Sequence, residues 1–333
     1  VTSAPVLEIS GVSKRFTRNL DFAERTAKRL GAPIDAPTVH AVDGVDLSVR
    51  TGEVLGLVGE SGCGKSTLGR MVAGLLPPSE GQIRFRGRDM ASLKGKEARE
   101  AALKIQLVFQ DPMASLNPRL RVENLVGEAP RVHGLVSRAE ADGYVETLLE
   151  RVGLDPTTRR RYPHQFSGGQ RARIGIARAL AVKPDFIVCD ESVAALDVSI
   201  QAQILNLFMK LREELNLTYM FISHDLGVVE HISDRIAVMY LGRMIELGEA
   251  QDLFTRPNHP YTQALISEIP TFEAKRRSYS TIKGEIPSPL NPPPGCHFHP
   301  RCPHAMERCR VERPLLKPVA PGRLSACHLN DQN

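Results

Sequence analysis

Apolar and polar residues alternate along residues 6–16 and again along 41–49, the period of two expected of half-buried strands. Between them, the charged segment 18–37 carries Gly31, Pro33 and Pro37 near its end and reads as an insertion. The turn Thr51-Gly52 then leads into Val54 to Val58, a short apolar run typical of a buried strand, followed by a glycine-rich loop and a helical pattern. Gly81 to Phe85 and Leu103 to Phe109 are further strand candidates.

From Asp111 the pattern changes. Ser137-Arg138-Ala139-Glu140 fits a helix capping box, and Tyr144, Val145, Leu148, Leu149 and Val152 mark one helical face. The stretch 111–166 therefore reads as a mainly helical insert. Beyond it the pattern gives helix (170–181), strand (186–189), helix (200–215), strand (218–222) and helix (226–231), with closing strands at 236–240 and 243–246. Strands alternating with helices predict an α/β fold built on a parallel sheet. Past Pro270 the composition shifts, and Pro287, Pro289 and Pro292 to Pro294 make a stiff linker into a cysteine cluster. The expected division is a nucleotide-binding α/β core (1–110 and 167–270), a helical subdomain (111–166) and a C-terminal extension (271–333).

Composition narrows the function. The 333 residues, 42% hydrophobic and 24% charged, match an ordinary globular protein, and the net charge of +5 permits contact with phosphates without demanding it. Without Trp, and with only 5% aromatic residues, a base-stacking nucleic-acid platform is not expected. No apolar run approaches the roughly 18–20 residues that span a bilayer, and Glu8, Lys14 and Arg15 interrupt any signal core near the start. The expectation is a protein that stays on the side of the membrane where it is made and reaches the membrane through partners.

Residues Gly59-Glu60-Ser61-Gly62-Cys63-Gly64-Lys65-Ser66 match G-x-x-x-x-G-K-[ST] in full, after a strand and before a helix. Gly59, Gly62 and Gly64 let backbone N–H groups turn inward around phosphates, the helix that follows adds its positive end, and Ser61 and Thr67 are counted with the nucleotide-binding residues. Lys65 supplies a mobile cation for the outer phosphates, and the Ser66 hydroxyl can ligate Mg²⁺. The alternative is a glycine-rich turn that binds nothing.

A second anion-binding helix start lies at Ser167-Gly168-Gly169-Gln170, where Ser167 is a natural N-cap. One nucleotide does not need two such sites in one chain; a dimer does, if each chain completes its partner's site. With this element on the page, the sequence resembles the ATP-binding-cassette family. Ser167 to Gln170 looks like its signature motif, Phe186 to Glu191 like its Walker B strand with the catalytic Glu, and Gln110 like the Q-loop glutamine. Ala194-Ala195-Leu196-Asp197 is similar to the D-loop and His224 to the switch histidine.

The resemblance implies a P-loop core, ATP as cofactor and Mg²⁺ held by Ser66, Gln110 and Asp190. Asp190 ends a buried strand where a carboxylate can reach the metal, and Glu191 can orient or deprotonate the attacking water. His224 lies within reach of a γ-phosphate. Gln110 can report nucleotide state to the helical insert. Phe16 is the aromatic expected to stack on adenine, although a core position is the competing reading. Three positions depart from the family pattern: Phe166 for Leu in the signature, Ser192 after the catalytic Glu where Pro is common, and Ala194 for Ser in the D-loop. None removes a reacting group.

Several stretches look specifically like the dipeptide/oligopeptide importer branch, which includes nickel and opine importers: 109–119, Asp197-Val198-Ser199, Asn258 to Thr262, and the Pro-rich segment ending at Cys296. The branch implies a second related ATPase, two membrane permease subunits and an external binding protein, with this chain peripheral on the cytoplasmic face of the inner membrane and no nucleic-acid partner. It also implies a [4Fe–4S] cluster on Cys296, Cys302, Cys309 and Cys327. From the residues alone, the spacings fit no standard ferredoxin run. Four nearby histidines (His297, His299, His304 and His328) could replace a thiolate and keep tetrahedral Zn²⁺ open; thiols that bind nothing are the remaining alternative. Cys63 and Cys189 read as small buried fillers. The rival functions are a soluble cassette ATPase acting on DNA or the ribosome, and a regulatory module without turnover.

Overall fold

The computed structural model describes residues 4–18, 21, 24, 26, 36–111, 114–269 and 284–332. Most of the 18–37 insertion, and the start of the segment beyond Pro270, lie outside the described residues. The strands in chain order are β1 (Pro5–Thr17), β2 (Thr38–Arg50), β3 (Val54–Val58), β4 (Glu80–Phe85), β5 (Arg88–Asp89), β6 (Ile105–Val108), β7 (Phe186–Asp190), β8 (Thr218–Ile222), β9 (Arg235–Tyr240), β10 (Arg243–Glu249), β11 (Lys317–Ala320) and β12 (Arg323–Ser325). The helices are α1 (Lys65–Val72), α2 (Gly95–Lys104), α3 (Val122–Val132), α4 (Ala141–Arg151), α5 (Gly168–Leu180), α6 (Val198–Leu215), α7 (Leu226–Ile232), α8 (Ala250–Thr255), α9 (Pro260–Ser267) and α10 (Glu307–Val311).

The strands form two sheets. An antiparallel one runs β2-β1-β4-β5, and an eight-stranded one runs β11-β12-β10-β9-β3-β8-β7-β6. In the larger sheet β9, β3, β8, β7 and β6 are parallel neighbours. Every residue of β3, β7 and β8 is buried, which is why their sequences read as unbroken apolar runs rather than alternating ones. One apolar cluster lies between the sheets, where Leu7, Val12 and Val45 meet Leu55, Leu57, Val188 and Met239. A second packs Val122, Val126, Val145 and Leu149 of α3 and α4 against Ile187 and Phe221 of the sheet. The capping box forms as written, with Glu140 N–H donating to Ser137 Oγ at 3.3 Å and Ser137 N–H to Glu140 Oε2 at 3.0 Å.

Two local readings of the sequence change. Residues 103 and 104 end helix α2 rather than begin β6. No residue of α2 is buried, so it carries no apolar stripe to announce it. The C-terminal residues, read as an appendage, contribute β11 and β12 to the core sheet, where β12 pairs antiparallel with β10 (Glu246 opposite Ser325). The fully buried Glu246 fastens this edge: it accepts from the backbone N–H groups of Asn258 (2.8 Å) and His259 (2.9 Å) and from Arg323 Nη2 (3.2 Å). A third apolar cluster under the extension contains Tyr240, Tyr261 and Phe298, with ring centroids 4.7 to 5.4 Å apart. Such aromatic pairs add about 0.5–1.5 kcal/mol each beyond their buried area.

Candidate active site

Sheet order assembles the site. β3, β8, β7 and β6 lie side by side and parallel, so the segments leaving their carboxyl ends open on one edge. Those segments are the Gly59–Gly64 loop, His224, Asp190 with Glu191, and Gln110. Residues scattered from 59 to 224 thereby become neighbours.

The loop between β3 and α1 has the backbone its glycines allow. Gly64, the N-cap of α1, sits at φ 109, and a Cβ there would run into the Ala41 carbonyl oxygen. No side chain caps α1, which leaves its first N–H groups for an anion. Lys65 is 4% exposed and folds over its own loop, with Nζ donating to the carbonyls of Gly59 (2.6 Å) and Glu60 (2.9 Å). Ser66 Oγ donates to Asp190 Oδ1 at 2.7 Å. Burial pushes the Asp190 carboxyl above its ordinary pKa against the opposing hydrogen bond from Ser66, so a divalent cation beside it would relieve the desolvated charge. Thr67 is half-buried in the first turn of α1, while Ser61 and Gly62 are exposed.

Glu191 is the hinge of the second cluster. Its Oε2 accepts from Gln110 Nε2 at 2.6 Å, and its Oε1 lies 3.4 Å from His224 Nδ1. The residue occupies the left-handed region at φ 48, a conformation that costs a non-glycine residue energy and recurs at functional sites. Its backbone N–H donates to the Ile222 carbonyl at 3.0 Å, tying it to the end of β8. Gln110 thus meets Glu191, with its amide nitrogen turned to that carboxylate rather than to Ser66 or Asp190. Cys63 and Cys189 are buried, and burial pushes both thiols up.

Ser167 to Gln170 open a second helix. Ser167 Oγ accepts from Gln170 N–H at 3.3 Å and Gln170 Oε1 accepts from Ser167 N–H at 2.9 Å, a reciprocal cap on α5. Gly169 packs so closely on α6 that a Cβ would lie 2.5 Å from Ile200 Cγ2. Gly168 and Asp197, the N-cap of α6, are exposed on the same edge. Phe16 is 42% exposed, with Lys14 Nζ 5.4 Å from its ring centroid, which is not a core placement.

Sequence reasoning missed a contact on the loop's far side. Arg301 of the extension holds Glu60 with two parallel hydrogen bonds, Nη1 to Oε2 at 2.8 Å and Nη2 to Oε1 at 2.9 Å. No spacing rule links positions so far apart in the chain. Cys296, Cys302, Cys309 and Cys327 line one pocket together with His259, His299, His304 and His328. Burial, and then the neighbouring thiols, pushes Cys296 up to about 11. Among the described residues no group of three or more His, Cys, Asp or Glu side chains is arranged to hold a metal ion.

Residues 42–194 match the family model described as ABC transporter, and 245–309 match that for the C-terminal region of oligopeptide/dipeptide transporters. The oligopeptide transport ATP-binding protein AppF of Bacillus subtilis is 54% identical over 328 residues, 97% of each chain. The chain belongs to the ABC transporter family. It is an ATPase subunit of the oligopeptide/dipeptide branch. A putative oligopeptide transport ATP-binding protein of the same organism, YkfD, is 53% identical over 88% of this chain and 90% of its own. Among solved structures, the cassette MJ0796, dimeric and bound to ADP and Pi, is similar with TM-score 0.62 and 27% identity, over 73% of this chain and 98% of its own.

Proposed function

We propose that this ABC ATPase powers the import of peptides, hydrolysing ATP at a site completed by a second cassette. The observation that carries the reading is the convergence of Lys65, the Ser66–Asp190 pair and the Glu191–Gln110–His224 cluster at the carboxyl ends of four adjacent strands. In this reading Phe16 stacks on the base, the Gly59–Thr67 loop grips the phosphates, and Ser66, Asp190 and Gln110 hold Mg²⁺, which neutralises charge on the outer phosphates. Glu191 takes the proton of the attacking water, and His224 keeps that carboxylate aimed. The partner's counterpart of Ser167–Gln170 closes the site, as Ser167–Gln170 and Asp197 of this chain close the partner's. The exposure of Ser167, Gly168, Gln170 and Asp197 supports that exchange, as does the dimeric state of the related MJ0796.

Coupling would run through the helical segment 111–166 to two permease subunits at the cytoplasmic face of the membrane, with a related second ATPase and an external binding protein completing the importer. A cavity of about 550 Å³ bordered by Leu75, Leu76, Met90 and Phe109 offers an apolar seat for those subunits. Among the described residues no helix is long and apolar enough to cross a membrane. Peptides rather than nickel or opines are supported by the relatives' names.

The four cysteines of the extension would hold a [4Fe–4S] cluster. The support is that the four thiols, which a cluster would take as its ligands, line one pocket. The function is tested in vesicles carrying the assembled importer. Peptides delivered by the binding protein should stimulate ATP turnover and accumulate inside. Stimulation by nickel, or by nucleic acid without the permease, would overturn it.

A further inference from the structure

Glu60, second residue of the phosphate-binding loop, is held by every polar group it owns. Its N–H donates to Tyr261 Oη at 2.9 Å, and its carbonyl accepts from Lys65 Nζ at 2.9 Å. Its carboxylate receives the two-pronged Arg301 contact, and Arg301 Nη1 also reaches Tyr240 Oη at 3.3 Å. The Arg301 side chain is 5% exposed. A line of direct contacts therefore runs from the lysine of the ATP site, through Glu60, to the extension.

At its other end Arg301 sits on the short turn His299–Arg301, bracketed by two cysteines of the pocket. Cys302 N–H donates to the His299 carbonyl at 3.3 Å, and His299 Nδ1 lies 2.9 Å from the Cys296 carbonyl oxygen. Cys296 N–H in turn donates to the Cys309 carbonyl at 2.8 Å. Whatever draws Cys296 and Cys302 together or apart moves the turn that aims the guanidinium.

The pair is poorly explained as glue. The Tyr240–Tyr261–Phe298 cluster already fastens the extension at this point. A buried ion pair recovers little net stability over apolar packing, because both charges must be stripped of water. What it adds is direction, since a planar fork fixes a carboxylate in both distance and angle.

We propose that Arg301 is a positioning residue for the phosphate-binding loop, and that through it nucleotide affinity is coupled to the state of the four-cysteine pocket. The inference rests on the reading of Gly59–Thr67 as the ATP site. Coupling between sites is reciprocal, so ATP must act on the cysteines as they act on ATP.

The test uses the full chain, Mg-ATP as ligand and two readouts. Arg301→Gln and Glu60→Gln should each weaken Mg-ATP binding, within the about 5- to 150-fold span of such couplings. The double variant should be no weaker than the worse single one, because both remove the same contact. Arg301→Lys, which keeps the charge and loses the fork, should fall between wild type and Arg301→Gln. In the wild type, Mg-ATP should change the hydrogen-exchange rate of the Cys296 and Cys302 amides, which donate to the Cys309 and His299 carbonyls, and Arg301→Gln should abolish that dependence. Should Arg301→Gln fail to fold, Glu60→Gln reads the contact from its other end. A folded variant with wild-type ATP affinity, or exchange at those amides that responds to Mg-ATP equally, or not at all, in wild type and variant, overturns the proposal. Failure of the wild type to bind Mg-ATP would instead overturn the assignment of the ATP site.

Discussion

Replacing Glu191 with Gln removes a base and little else. The side chain is 15% exposed and its two oxygens face Gln110 Nε2 at 2.6 Å and His224 Nδ1 at 3.4 Å. A Gln keeps one acceptor and loses the other, a change of about 1 kcal/mol in net hydrogen bonding. The left-handed backbone at φ 48 costs both residues alike, since neither is glycine. Folding and ATP binding should therefore survive. Loss of a general base typically slows the chemical step by about 10²–10⁴-fold, or about 3–5 kcal/mol of barrier. The assay pairs phosphate release by the assembled complex with ATP titration and a melting curve on the same preparation. The expected outcome is near-native binding and melting with turnover all but lost. Hydrolysis close to the wild-type rate would refute the role given to Glu191; loss of binding or melting would refute the view that it serves chemistry rather than structure.

Two further outcomes follow from the exposed ring and the sulfur pocket. Phe16→Ala should weaken ATP binding by about 1–3 kcal/mol, the usual worth of one stacked base, and leave the urea midpoint unmoved because the ring is 42% exposed; a lowered midpoint with unchanged affinity would make it a core residue. Anaerobically purified protein should be brown, with broad absorption near the visible–ultraviolet boundary and bound iron and sulfide, whereas stoichiometric zinc without iron would rule out the cluster.

The most legible parts of the chain are those where burial is two-sided and local. Val54–Val58 and Thr218–Ile222 emerge with the bounds their apolar runs suggest. Helix α2 escapes notice because no residue in it is buried. The strands Lys317–Ala320 and Arg323–Ser325 escape because they are four and three residues long, too short to show a period. The site divides in the same way. Gly59–Ser66 and Ser167–Gln170 announce themselves because each is one continuous turn with a fixed chemical demand. The meeting of Gln110 with Glu191 depends on β6 lying beside β7, a fact of sheet order. The grip of Arg301 on Glu60 joins residues 241 positions apart, and neither neighbourhood carries a pattern that calls for the other.

A composite site makes a physical demand that one experiment can read. Vanadate trapped with Mg-nucleotide in the assembled complex takes the place of the γ-phosphate, and ultraviolet light then cuts the backbone that touches it. This chain should be cut twice, within Gly59–Thr67 by its own nucleotide and within Ser167–Gln170 by the nucleotide of its partner. Cutting confined to the glycine loop, with Ser167–Gln170 intact, would mean that the second helix start never meets a phosphate.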